Sequence, residues 1–88
     1  MQSLARLIDV RADEYTEEQE TSCEATLLFW YVGLGDTVGA GSDLAEVETA
    51  KAVIVVTAPE GGRLVEILVP EGEPVHPAQR LAVLECSD

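Results

Sequence analysis

Basic residues are scarce in this chain of 88 residues, which has 17 acidic residues against five basic ones and a formal net charge of -12. Binding to nucleic acid or to an anionic membrane surface needs clustered lysines and arginines, so the composition argues against both functions. A strongly acidic surface instead favours basic protein partners.

Long apolar runs and clustered cysteines are also lacking. No run approaches the roughly 20 residues of a membrane helix, and no signal-peptide pattern precedes the first strand. Cys23 and Cys86 have no C-x-x-C spacing, and His76 has no second metal ligand beside it. We therefore predict free thiols, no metal site, and a cytoplasmic location, or the mitochondrial matrix in a eukaryote. A disulfide between Cys23 and Cys86 is the alternative.

Short β-type segments, separated by glycine and proline turns, make up most of the chain. Seven or more such strands are typical of a single all-β domain, a flattened barrel or sandwich, which we assign to residues 1–88. Residues 11–24 are rich in acidic and hydroxyl side chains and are predicted to form an exposed acidic loop. The main predicted strands are residues 4–10, 25–32, 44–48, 52–57, 64–69 and 81–85.

An internal repeat relates the two halves of the sequence, with the offset of 37 residues that separates Gly35 from Gly72. No gap is needed from Ala25 to Glu48. Neither half could bury its apolar face alone, so we expect the halves to face each other around a pseudo-twofold axis. Shared β-sandwich composition is the alternative explanation. Besides the two glycines, the identical pairs are Leu27 with Leu64, Val32 with Val69, Val38 with Val75, Leu44 with Leu81, Ala45 with Ala82, and Glu48 with Glu85.

Lys51 is the only lysine, since the other four basic residues are arginines. It lies between Glu48 and Val53, in a link short enough for a hairpin. We expect it at the hairpin tip, pointing into solvent at the end of the domain opposite both termini. A flexible amine with alanine neighbours suits covalent attachment better than ion pairing. The alternative is a turn lysine that is simply solvated.

Three motifs stand at fixed spacings: W-x-V-x-x-G-D-T-V at 30–38, E-T-A-K-A at 48–52, and A-P-E-G-G at 58–62, followed by G-E-P-V at 72–75. Together they resemble the lipoyl domain of the biotinyl/lipoyl-carrier superfamily over nearly the full length. The resemblance implies a barrel-sandwich of two four-stranded antiparallel sheets, with lipoic acid joined by an amide to Lys51. It also implies that the attaching enzyme recognises Glu48 and Gly62 together with the neighbours Ala50 and Ala52.

The same resemblance implies a non-catalytic carrier with no catalytic residue of its own. Its lipoyl arm would be reductively acylated by a decarboxylase, would pass the acyl group to an acyltransferase, and would be reoxidised by a dihydrolipoyl dehydrogenase. Such a carrier would serve a 2-oxo acid or acetoin dehydrogenase complex and would be monomeric as an isolated domain. Its further partner would be the lipoate-attaching enzyme.

Two departures from the family pattern keep alternatives open. Ala50 replaces the usual aspartate before the lysine, whereas biotin carriers place methionine on both sides, and the only methionine here is Met1. We therefore favour a lipoyl carrier, with a biotin carrier and an unmodified interaction module as alternatives. The acidic loop at 11–24 is longer than usual, and the resemblance implies that this loop faces the decarboxylase and sets partner choice.

Strand alternation adds a docking hypothesis. We predict that one face of each strand points inward, with residues Leu28, Trp30 and Val32 in the first half and Val65, Ile67 and Val69 in the second. The outward face would then carry Leu27, Phe29 and Tyr31, matched by Leu64, Glu66 and Leu68. Exposed Phe29 and Tyr31 would form a docking patch. The alternative is that the N-terminal segment or the acidic loop covers them.

Overall fold

A computed structural model describes residues 6–12, 25–76 and 79–86, which form eight strands. The predicted acidic loop lies mainly outside the described residues, as does Cys23. The strands are β1 (Arg6–Arg11), β2 (Ala25–Trp30), β3 (Thr37–Val38), β4 (Asp43–Thr49), β5 (Val53–Thr57), β6 (Gly62–Ile67), β7 (Pro74–Val75) and β8 (Arg80–Cys86).

Two four-stranded antiparallel sheets enclose the core, with strand orders β1-β8-β6-β3 and β5-β4-β2-β7. The two orders become the same when β2 is matched with β6, β3 with β7, β4 with β8, and β5 with β1. This equivalence confirms the predicted flattened barrel-sandwich and its pseudo-twofold relation between halves. We name the sheet that contains β4 and β5 the lysine sheet and the other the arginine sheet.

Paired backbone hydrogen bonds repeat the same symmetry. The Gly35 amide donates to the Leu64 carbonyl, and the Gly72 amide donates to the Leu27 carbonyl, both over 2.7 Å. In return the Leu64 amide donates to the Asp36 carbonyl at 2.9 Å, an interaction that recurs between Leu27 and Glu73 at the same distance. The glycine turn of each half is therefore hydrogen-bonded to a strand of the other half.

The two turn glycines adopt a backbone conformation that other residues rarely reach. Gly35 has φ 91° and Gly72 has φ 88°. Each stands third in a four-residue turn, closed by bonds from Asp36 to Gly33 at 3.1 Å and from Glu73 to Pro70 at 3.2 Å. A positive φ at that position is typical of a type II turn and favours glycine.

The predicted strand alternation is wrong at the start of β2, because a β-bulge separates Leu27 from Phe29. Leu27 was expected outside but is fully buried, and Leu28 was expected inside but is only half-buried. Beyond the bulge the faces change over, so Trp30 is half-buried whereas Phe29 and Tyr31 are exposed, as predicted. One extra residue in a strand reverses every side chain that follows it.

An equivalent bulge in β6 produces the same error in the second half. The register shifts between Leu64 and Glu66, so Leu64 is fully buried whereas Val65, which was expected inside, is exposed. The irregularity recurs at the equivalent position of both halves, which makes it a property of the repeat. The predicted core is otherwise confirmed at Val69, which is buried.

Several strand ends also differ from the prediction. Strand β2 ends at Trp30 and not at Val32, because the glycine turn begins earlier than its apolar residues suggest. Strand β6 already begins at Gly62. Arg11 ends β1 opposite Arg80 and does not begin the acidic loop.

The core between the sheets is almost purely aliphatic. Within the described ranges no polar or charged residue is buried, and Cys86 is a buried free thiol. The same ranges contain no helix of the length and apolarity needed to span a membrane. The largest fully buried side chains are Leu27, Leu44, Leu64, Leu81, Leu84, Val10, Val47, Val56 and Cys86.

Gly62 packs against β8 so closely that it leaves no room for a side chain. A Cβ atom at this position would lie 2.6 Å from the Glu85 carbonyl oxygen and 2.8 Å from the Cys86 sulfur. We predict that Gly62→Ala lowers the free energy of unfolding by about 1–3 kcal/mol, as overpacking usually does. Chemical denaturation measures the change.

Gly33→Ala is the matched control, because a Cβ atom there would meet nothing within 4 Å. We expect this control to change stability by less than about 0.5 kcal/mol. Equal stability of the two variants would show that β6 can move away from β8.

Candidate functional site

Lys51 lies in the tight hairpin that joins β4 to β5, as predicted. The last strand pair before the turn is Glu48 with Val53, so four residues close the hairpin. Both Lys51 and its neighbours Ala50 and Ala52 are exposed. The adjacent strands are anchored by the buried side chain of Val47, which faces the core. The hairpin that contains Lys51 is therefore attached to strands that pack into the core.

Thr49 holds the backbone of the hairpin in one conformation. Its hydroxyl oxygen accepts hydrogen bonds from the Lys51 amide at 3.2 Å and from the Ala52 amide at 3.1 Å. The same hydroxyl donates to the Ala52 carbonyl at 2.9 Å, and the Thr49 amide donates to that carbonyl at 2.8 Å. Threonine stabilises turns through such local bonds. The backbone of Lys51 is therefore fixed while its side chain is free.

No carboxylate among residues 6–12, 25–76 and 79–86 forms an ion pair with Lys51. In contrast, Arg63 pairs with Glu85 at 2.8 Å and Arg80 pairs with Asp9 at 3.3 Å. The described part of the chain also contains no group of three or more residues able to hold a metal ion. The amine is accessible and free to be acylated.

The predicted recognition residues separate into two places. Glu48, Ala50 and Ala52 lie in or beside the hairpin and are exposed. Gly62 begins β6 in the arginine sheet, where it pairs with Val38. Its role in recognition by the attaching enzyme stays a prediction, whereas its contact with β8 gives it a packing role.

Phe29 and Tyr31 lie on the outer face of the lysine sheet. Their rings meet edge to face, with centroids 5.1 Å apart and an interplanar angle of 83°. Phe29 is 38% exposed and Tyr31 is 49% exposed. Phe29 is the direct cross-strand neighbour of Glu46, which in turn pairs with Val55 of β5. The aromatic pair therefore belongs to the same surface as the strands of the hairpin.

Glu46 fixes the orientation of Tyr31, whose hydroxyl donates a hydrogen bond to the Glu46 carboxylate. That hydrogen bond is the main reason why the pKa of Tyr31 lies above its usual value. Partial desolvation and the negative charges of Glu46 and Asp43 raise the pKa further. The Glu46 contact thus favours the protonated, hydrogen-bond-donating form of Tyr31.

A family model described as "Biotin-requiring enzyme" matches residues 18–84, which is more than half of the chain. Several curated relatives match the same region, and their names refer to dihydrolipoyllysine-residue acyltransferases. The chain belongs to the biotinyl/lipoyl-attachment family. Among these relatives it is a lipoyl domain related to the acyltransferase components of pyruvate and 2-oxoglutarate dehydrogenase complexes.

Three relatives define this relationship. The acetyltransferase component of the Zymomonas mobilis pyruvate dehydrogenase complex is 45% identical over 73% of this chain. The succinyltransferase components of 2-oxoglutarate dehydrogenase complexes are 37% identical over 77% in Staphylococcus saprophyticus and 40% identical over 70% in Haemophilus influenzae. The matched regions cover only 15%, 16% and 15% of these relatives.

Two structural features of the site and its surroundings were not predicted from the sequence. The hydrogen bonds of Thr49 were missed, although a threonine two residues before a turn lysine is a recognisable turn signal. The contact between Glu46 and Tyr31 was also missed, because it depends on the register of β2 against β4. No local pattern in the sequence indicates that register.

We predict that Thr49→Val loosens the hairpin without removing its β-branched shape. The side-chain hydrogen bonds to Lys51 and Ala52 would be lost, and each such bond is worth about 1 kcal/mol. Amide hydrogen exchange at Lys51 and Ala52 should become about five- to tenfold faster. Thr49→Ser is the control and should keep the slow exchange. Unchanged exchange in Thr49→Val would assign the rigidity to the strands alone.

We also predict that Tyr31 ionises at higher pH than a free phenol, which has a pKa of about 10. A Tyr15→Phe background leaves Tyr31 as the only tyrosine, so absorbance at alkaline pH reports its titration directly. Replacement Glu46→Gln should lower the pKa towards the usual value. Since folding raises this pKa, the associated stability is present below about pH 10 and is lost as pH rises through the folded value. An unshifted titration would contradict the Glu46 contact.

Proposed function

We propose that Lys51 carries lipoic acid through an amide bond to its Nζ atom. The modified domain then serves as a swinging-arm carrier of acyl groups and electrons in a 2-oxo acid or acetoin dehydrogenase complex. The observation that carries the proposal is the position of the sole lysine, exposed at the tip of a hairpin whose backbone is fixed by Thr49. The similarity to dihydrolipoyllysine-residue acyltransferases favours lipoic acid over biotin as the cofactor.

The hairpin fits a long covalent group. The flanking residues Ala50 and Ala52 are small and exposed, so nothing beside Lys51 restricts the arm. When bound, lipoic acid supplies a dithiolane that accepts an acyl group and electrons. The chain itself contributes position: a fixed backbone and a free side chain together raise the effective concentration of the arm at each partner.

The partners follow from the same proposal. An attaching enzyme would recognise the hairpin through Glu48, Ala50 and Ala52, together with Gly62. A decarboxylase, an acyltransferase and a dihydrolipoyl dehydrogenase would then act on the arm in turn, and the domain would leave all catalytic groups to them. The predicted cytoplasmic or matrix location and the monomeric state stay predictions.

Coexpression with lipoate ligase tests the proposal. We expect the intact mass of the chain to increase by one lipoyl group, and we expect Lys51→Ala and Lys51→Arg to abolish the increase. Amide formation also removes the positive charge of Lys51, so the net charge of the lipoylated form should be more negative by one unit. Isoelectric focusing detects that difference.

A parallel coexpression with biotin ligase provides the control. A biotinyl increment without a lipoyl one would make the chain a biotin carrier. If neither a lipoyl nor a biotinyl increment is found, the chain is an unmodified interaction module. A lipoyl increment that persists in Lys51→Ala would place the attachment elsewhere.

A further inference from the structure

Charge is distributed unequally between the two sheets. The strands of the arginine sheet contain all four arginines and three carboxylates, whereas those of the lysine sheet contain three carboxylates and no basic residue. The three carboxylates belong to Asp43, Glu46 and Glu48 and follow one strand, β4. Lys51 lies in the hairpin that adjoins Glu48, and lipoylation would remove its charge. The modified lysine sheet is therefore uniformly acidic.

Exposed apolar side chains surround this line of carboxylates. Glu46 has Phe29 on one side and Val55 on the other, while Glu48 is flanked by Thr26 and Val53. Each of these sets of three neighbours forms a row across the sheet. The row of Glu46 and the row of Glu48 lie about 7 Å apart, and the row of Glu48 is next to the hairpin. We name this surface the hairpin face; it consists of Phe29, Tyr31, Asp43, Glu46, Glu48, Val53 and Val55.

The equivalent surface of the arginine sheet is different in kind. The repeat places Glu66 where the hairpin face has Phe29, and the register places Val83 where it has Glu46. There Arg63 and Arg80 are already paired with carboxylates of their own sheet. Among the described residues, the hairpin face carries three carboxylates without an ion pair and no arginine, whereas the arginine sheet carries one such carboxylate, Glu66, together with four arginines.

We propose that the hairpin face docks onto a basic, partly apolar surface that surrounds the active-site entrance of the enzyme that acylates the arm. This proposal rests on the proposed function. The aromatic pair provides large contact area at small entropic cost, since the Glu46 bond already orients Tyr31. The carboxylates provide charge complementarity and speed the encounter.

Charge also argues against two other candidate occupants of the hairpin face, a second copy of the chain and the acidic loop. A second copy would bring Asp43, Glu46 and Glu48 against the same three residues, and like charges in contact are strongly unfavourable. Residues 13–24 contain six acidic residues and no basic one, so they too would be repelled by this face. A basic partner meets neither obstacle.

The test measures kcat/KM for acylation of the full lipoylated chain. The probes are the pyruvate decarboxylase component of the Zymomonas mobilis complex and a 2-oxoglutarate decarboxylase component, and the faster of the two with wild type is used. We expect Phe29→Ser to lower kcat/KM about tenfold, as loss of a central interface aromatic does. Val55→Thr and Glu46→Lys should each lower it severalfold, and Glu46→Lys should also weaken its dependence on salt.

Two variants of the arginine sheet are matched controls. Val65→Thr removes the same apolar group as Val55→Thr, and the two valines are 38% and 37% exposed. Glu66→Lys changes the net charge as much as Glu46→Lys does. We expect both controls to keep the wild-type rate. Lipoylation by intact mass and thermal unfolding are measured for every variant.

The outcomes separate the two proposals. Failure of both enzymes to acylate lipoylated wild type would overturn the proposed role in a pyruvate or 2-oxoglutarate complex and the docking face with it. Normal acylation of all three hairpin-face variants would overturn the docking face alone. An equal loss of kcat/KM in the two control variants would also overturn the docking face. So would a concentration-dependent dimer of the wild-type chain that Phe29→Ser converts to monomer. If Phe29→Ser fails to fold, Val55→Thr and Glu46→Lys decide the result.

Discussion

The fold depends on backbone hydrogen bonds that each half donates to the other. Gly35 and Leu64 exchange bonds across the molecule in the same way as Gly72 and Leu27. Because the Gly35 and Gly72 amides each find their acceptor in the other half, neither half alone can satisfy all the backbone groups of its glycine turn. The hairpin with Lys51 depends on this arrangement, since β4 lies between β2 and β5 in the sheet so formed.

The sequence alone was enough to predict the repeat, the all-β class and the hairpin, because each rests on a pattern of short range or on self-similarity. Lys51 follows directly from its isolation between two strands. The faces of β2 and β6 could not be predicted in the same way, since one extra residue at Leu28 or Val65 reverses the alternation. The Glu46–Tyr31 bond required the resulting register, so it was out of reach for the same physical reason.

The two sheets have the same architecture but different chemistry. In the arginine sheet, exposed ion pairs such as Arg63–Glu85 satisfy the surface charges internally, at small gain in stability. In the lysine sheet, Glu46 and Glu48 stand beside apolar neighbours, and Glu48 adjoins the hairpin that contains Lys51. Among the described residues, one surface of the duplicated fold thus pairs most of its charges, whereas the carboxylates of the other form no ion pair.

The pseudo-twofold axis has a consequence for protein engineering. The pair Glu85 and Leu7 occupies in the arginine sheet the position that Glu48 and Val53 occupy in the lysine sheet. A four-residue connection from Glu85 to Leu7 would therefore circularise the polypeptide with the geometry of the natural hairpin. If that connection copied residues 49–52, the ring would present two lysine hairpins, one at each pole.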